Sequence, residues 1–199
     1  MPTMIRALLC ATLILCAAAG AAMDLAPRPE LAGDWIIDRE RSDDGRARLE
    51  REVQRIDKDL RPVRAGNTVL PRGTPRLRLG EQLLMPVRLP ERSVALRIDA
   101  DAVHFRRDDE ATETLPTDGR PSVVSAASRG VQIAAWEDGV LWIERSSDRG
   151  TRVIEAWRRT EPGLAADFEV RNGLFEEPVT FTLRFVRTGA SASASASAS

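Results

Sequence analysis

The stretch that most constrains this chain is residues 128–187, where apolar segments that begin or end at a tryptophan are separated by turn signals. Val131 to Trp136, Val140 to Glu144, Thr151 to Trp157 and Val179 to Phe185 each show the pattern of a short strand. Asp138-Gly139 separates the first two and predicts a two-residue hairpin, because both turn positions need positive φ. Asp148-Arg149-Gly150, Glu161-Pro162-Gly163 and Asn172-Gly173 punctuate the remainder in the same way. Such a succession folds as an antiparallel meander.

The last segment is the clearest. Val179, Phe181, Leu183 and Phe185 face one way, and Thr180, Thr182 and Arg184 the other. Upstream, Val94, Leu96 and Ile98 alternate with Arg97 and Asp99, and Val103 and Phe105 with His104 and Arg106. Weaker strands are expected at 112–115 and 122–126. Counted from Trp35, about nine or ten antiparallel strands emerge, enough for a closed barrel or a two-layered sandwich.

The N-terminus has a different logic. Arg6 precedes an apolar run from Ala7 to Ala19, and small residues follow at Gly20-Ala21-Ala22, the layout of a secretory signal peptide. The run is shorter than the roughly 20 apolar residues that span a bilayer, so residues 1–22 are read as a cleaved leader, leaving no stable membrane anchor. Both cysteines, Cys10 and Cys16, lie inside it. Leu9 and Leu15 precede them where a lipidated cysteine would follow a small residue. A mature chain from residue 23 therefore has no disulfide, and its stability comes from its core. About 177 residues remain, enough for one domain of 23–188 and a tail. The expected location is periplasmic or secreted.

Between the first strand, Leu31-Ala32-Gly33-Asp34-Trp35-Ile36-Ile37-Asp38, and Ser93 lies an expected helical insertion, 42–86. Ser42 offers an N-cap, with Asp43 and Asp44 in the first turn. Leu49, Val53, Ile56 and Leu60 form a narrow helical stripe that ends before Pro62. Its polar face has mixed signs, which favours packing on the barrel over membrane adsorption. Residues 61–73 read as a loop, and Thr74-Pro75 opens a second short helix to Met85. From residue 189 alanine and serine alternate to the end, a disordered tail with nothing large to bury.

Chemistry is sparse. With 29 Lys+Arg against 30 Asp+Glu, the chain lacks the basic excess of a nucleic-acid binder. His104 is the only histidine, no G-x-S-x-G elbow is present, and no glycine-rich phosphate loop occurs. Neither a metal site nor a cofactor is expected, and His104 reads as a solvent-facing or rim residue. Glu155 stands out because Val153-x-Glu155-x-Trp157 places it on one strand face with an aliphatic and an indole. Turned inward, that carboxylate is either desolvated, with a raised pKa, or paired with an arginine such as Arg145 or Arg159. The hairpin pairs Trp136 with Leu141 and adds Ile143 to their face; which face joins Glu155 depends on the loop 147–150. The four tryptophans, Trp35, Trp136, Trp142 and Trp157, are core or the wall of a ligand cavity.

Gly33-x-Trp35 near the mature N-terminus resembles the lipocalin signature. From Trp136 to Arg187, W-x-D-G-x-L-x-I-E, a glycine turn, V-x-E-x-W and F-x-V resemble a group of small secreted bacterial lipocalin-like, or calycin-like, β-barrel proteins, mostly uncharacterised. The resemblance implies a mainly β, antiparallel barrel or sandwich. It also implies that Trp35 closes one end, crossed by an arginine of the last strand, Arg184 or Arg187. The functional expectation is a non-enzymatic protein binding a small apolar ligand, with Trp136, Ile143, Val153, Glu155, Trp157, Phe168, Phe181 and Phe185 as candidate lining. An envelope structural or interaction protein with a filled core, using the insertion as its contact surface, is the alternative. An enzyme built on Glu155 comes third.

Overall fold

The structure, a computed structural model, describes residues 26–59, 64–65, 68–69, 83–84, 86–125 and 130–188. The expected leader, the tail and all but the last residues of the expected second helix lie outside them.

Ten antiparallel strands build one nearly closed barrel. In chain order the elements are β1 (Gly33–Ile37), α1 (Gly45–Asp59), β2 (Arg64–Ala65), β3 (Thr68–Val69), β4 (Ser93–Ile98), β5 (Ala102–Arg107), β6 (Glu113–Pro116), β7 (Ser122–Ser125), β8 (Gly130–Glu137), β9 (Val140–Ser146), β10 (Arg152–Arg159), β11 (Leu164–Arg171) and β12 (Val179–Arg187). The wall runs β6, β5, β4, β1, β12, β11, β10, β9, β8, β7, and β2 with β3 forms a separate two-stranded hairpin. That hairpin corrects the reading of 61–73 as plain loop.

β6 and β7 share no ladder in the wall order. After Pro116 the chain turns back, Asp118 bridges to Ala135, and the Gly119 amide donates to the Ala134 carbonyl at 3.1 Å. The wall therefore closes through the β6 to β7 turn lying on β8, leaving a seam between β6 and β7.

Every long strand buries one face, as its period-two pattern requires. In β12 the buried residues are Phe181, Leu183 and Phe185, and in β9 they are Leu141, Ile143 and Arg145. The Asp138-Gly139 turn has φ of 49° and 79°, both positive as a two-residue hairpin demands. The register left open by sequence is settled by the 147–151 loop, where the Ser147 amide donates to the Thr151 carbonyl. It places Trp157 opposite Leu141, Glu155 opposite Ile143, and Val153 opposite Arg145. Glu155 thus shares the inner face with Arg145.

Two details on either side of β1 differ from expectation. Leu31 belongs to a 3-10 turn, Pro29–Leu31, that precedes β1. Helix α1 is capped by Asp44, whose carboxylate accepts from the Ala47 amide at 2.9 Å. Ser42 is occupied elsewhere: its hydroxyl accepts from the Arg184 amide at 2.8 Å and donates to the Arg184 carbonyl at 3.2 Å. The helix buries Leu49 and Ile56 and comes so close to β12 that a Cβ on Gly45 would lie 2.5 Å from the Phe181 ring. It follows the Ile37 end of β1, here termed the upper end of the barrel. No helix among the described residues is long and apolar enough to cross a membrane.

Candidate functional site

The lower end is closed as the G-x-W motif implies. Trp35 is fully buried, and its indole N–H donates to the Leu31 carbonyl at 3.0 Å. Two guanidinium groups lie over its ring, Arg187 at 5.2 Å and Arg159 at 5.1 Å from the centroid. Arg187 also donates to the Ala32 carbonyl at 2.7 Å. Gly33 makes room for this, because its φ is 144° and a Cβ there would lie 3.1 Å from Arg187 Nη2. Of the two arginines expected for this part, Arg187 takes it. Arg184 alternates to the opposite face, and its backbone meets Ser42. Arg159 is the second partner, from the same strand face as Trp157.

Above this floor the interior is aromatic. Trp157 has Phe105 at 4.8 Å, Phe185 at 5.6 Å and Phe168 at 6.1 Å between ring centroids, and Phe181 stacks on Phe168 at 5.0 Å. Trp136, Ile143 and Val153 are buried in the same cluster. The candidate lining residues are therefore brought together on one inner face, and they pack on one another. Trp142 is the exception among the tryptophans, on the outer face and 39% exposed.

Higher still, the inner face changes from apolar to charged. Glu155, entirely buried, is joined to Arg145 and Arg107, and both arginines also reach Glu113. Arg145 Nη1 donates to Glu155 Oε1, and its Nη2 donates to Glu113 Oε2 at 3.0 Å. Arg107 Nη2 donates to Glu155 Oε2 at 3.1 Å, and its Nη1 donates to Glu113 Oε2 at 3.2 Å. The Trp157 indole adds a donor to Glu155 Oε2 at 2.9 Å. Two members come from β5 and β6 and two from β9 and β10, so the quartet ties the walls on either side of the seam. Arg107 further lies over the Phe105 ring, 4.2 Å from its centroid.

Burial and charge act against each other here. Burial raises the Glu113 carboxyl, but Arg145, Arg107 and Arg88 outweigh it and hold the group below the usual glutamate range. Burial pushes the Arg107 guanidinium down, opposed chiefly by Glu155. The paired reading of Glu155 thus holds, with Arg145 as a partner. Arg107 and Glu113 were not singled out from sequence. For Arg107 the signal was there, since it extends the inward series Val103, Phe105; Glu113 had none in its own strand.

The pairing is incomplete. Arg107 Nε, Arg145 Nε and Gln132 Oε1 are buried without a hydrogen-bond partner, as are Trp136 Nε1 and Ser147 Oγ. Gln132 sits directly opposite Arg145 on β8.

Several recesses open outside this interior. One of about 450 Å³ lies at the upper rim, between α1 and the segment before β4, lined by Leu49, Leu84, Val87, Arg88 and Leu89 among others. Another, of about 920 Å³, lies on the outer surface and includes His104. His104 faces outward as expected, bonded to Asp99 at 2.8 Å and Thr114 at 3.0 Å. Among the described residues no group of three His, Cys, Asp or Glu side chains could hold a metal ion.

No protein-family model matches the chain, and no curated protein matches it. Among solved structures it is similar to a luciferase domain from the dinoflagellate Lingulodinium polyedrum, with a TM-score of 0.44 and 12% identity. The match covers 82% of this chain and 44% of that one, so the chain spans less than half the length of its structural neighbour.

Proposed function

We propose that this protein is an exported, non-enzymatic binding protein, periplasmic or secreted, that holds a small ligand with an apolar body in its β-barrel, in the manner of small secreted bacterial lipocalin-like proteins. The observation that carries this reading is the recess at the upper rim. Its volume of about 450 Å³ lies within the range of small-molecule sites, and it combines the apolar Leu49, Leu84, Val87 and Leu89 with a charged rim of two arginines and four carboxylates. The lower interior is filled by Trp157 and its aromatic neighbours, which supports the recess beside the helix as the room for the ligand.

The aromatic packing also favours the second reading, a filled-core interaction protein using the insertion 42–86 as its contact surface. Native mass spectrometry on protein recovered from the exported fraction separates the two. A retained small molecule, released on denaturation, is expected. A bare mature mass in every preparation, together with no saturable change in tryptophan fluorescence on adding apolar ligands, would leave the interaction protein. The same spectrum tests export, with cleavage expected near Ala21 or Ala22.

A further inference from the structure

We propose that the recess beside α1 takes a cationic amphiphile, an organic ammonium group on an apolar chain, with the chain on the aliphatic floor and the charge among the rim carboxylates. The inference rests on the binding-protein reading above and names the ligand's charged group.

Two independent features of the recess converge. The first is its form. A volume of about 450 Å³ over four aliphatic side chains is room for a small molecule with an apolar chain. Its walls are fixed without a ligand: Arg46 of α1 pairs with Glu91 of the segment before β4 at 2.8 Å, and the Asp108 carboxylate accepts from the amides of Glu91, Arg92 and Ser93 at 2.7, 2.7 and 2.8 Å. A wall already in place spares the ligand the cost of ordering it.

The second feature is charge. Four carboxylates line the recess against two guanidinium groups, an excess of two negative charges. Both guanidinium groups have carboxylates of their own: Arg46 has Glu91, and Arg88 acts on Glu113 of the buried quartet. Glu50 and Glu110 meet no cation within ion-pair distance among the described residues. A cation resting over the floor gains an attraction that a neutral chain does not, and an anion of the same shape is repelled.

A bare metal ion is the rival occupant of an acidic rim. Among the described residues no group of three acidic side chains could hold one, so the carboxylates act as a field spread round the floor and not as a ligand set. That arrangement suits a diffuse organic cation carried on an apolar chain.

The test is calorimetric titration of the protein near neutral pH with decylammonium, decanol and decanoate, each below its micelle concentration, repeated on the double variant Glu50→Gln with Glu110→Gln and on Val87→Trp. Decylammonium is expected to bind about fivefold to tenfold tighter than decanol, with decanoate weakest. The difference is expected to shrink as salt is raised, because both carboxylates are exposed. The double variant changes surface positions only, and is expected to lose most of the preference while decanol binding stays unchanged. Val87→Trp fills the recess and is expected to weaken all three ligands by at least about tenfold. Unchanged binding to that variant puts the ligand elsewhere and overturns the proposal. Equal binding of decylammonium and decanol to the natural chain overturns the cation preference and leaves the binding-barrel reading standing. Binding of none of the three overturns both.

Discussion

The two ends of the barrel interior solve the burial problem differently. At the lower end the one fully buried polar group of Trp35 is bonded to a backbone carbonyl, and the cations that cover its ring are themselves anchored to the Ala32 and Gly163 carbonyls. Apart from Trp136 Nε1, the orphaned polar atoms lie toward the upper end, around Arg107, Arg145, Gln132 and Ser147. Three buried charges and a partly buried fourth are an expensive way to fill a core, since apolar side chains of equal volume serve stability as well or better. The lower half looks shaped by folding alone. The upper half ties its seam with buried ion pairs and leaves several polar atoms unpartnered.

That contrast can be broken by experiment, starting with the largest effect. Trp157→Ala removes the hub of the aromatic cluster and a donor to Glu155, and is expected to cost about 4–5 kcal/mol in denaturant unfolding. A loss below about 1 kcal/mol would show that the aromatic packing is loose. Glu155→Gln strands two buried cations and is expected to cost about 3 kcal/mol. Replacing the whole quartet, Glu113→Leu, Glu155→Leu, Arg107→Met and Arg145→Met together, is expected to return stability to within about 1 kcal/mol of the natural chain, or above it. If the quadruple variant is less stable than Glu155→Gln alone, the quartet is structural after all.

At the floor, Arg187→Ala is expected to cost about 1 kcal/mol, because it loses one cation over the Trp35 ring while Arg159 keeps the other. The double variant with Arg159→Ala measures whether the two act independently. Acid sharpens the comparison last. The Glu113 carboxyl lies below its usual range in the folded chain, so its contribution is present above the pKa of the unfolded chain and is lost as pH falls through the folded value. Asp108 behaves alike: burial raises it, but the amides of Glu91, Ser93 and Arg92 bond to it and bring it lower. Denaturant melts taken at successively lower pH should show stability falling below the ordinary carboxylate range, and Glu113→Gln should flatten that slope. An unchanged slope removes the quartet from the acid response.

Local rules carried most of the fold. Asp138-Gly139 forms its hairpin because only that turn suits two positive φ values, and the stripe of Leu49 and Ile56 does pack as a buried helix face. What sequence did not carry depends on neighbours distant in the chain. Ser42 fails as a cap because its hydroxyl meets Arg184, 142 residues away. The facing of Glu155 against Arg145 hangs on a single loop length, and one residue more or less would send the carboxylate outside. Glu113 joins the quartet only because the β6 to β7 turn closes the wall, which no alternation pattern encodes.

The junction of Ser42 and Asp43 with β12 has one further consequence. β1 is five residues long against nine for β12, so it leaves the backbone of residues 180–184 as a raw strand border. That border is occupied from within the chain: Ser42 meets the Arg184 amide and carbonyl, Asp43 meets those of Thr182, and Arg48 donates to the Thr180 carbonyl. A foreign peptide seeking to extend the sheet there finds its hydrogen bonds already spoken for, and the helix start doubles as a guard against polymerisation.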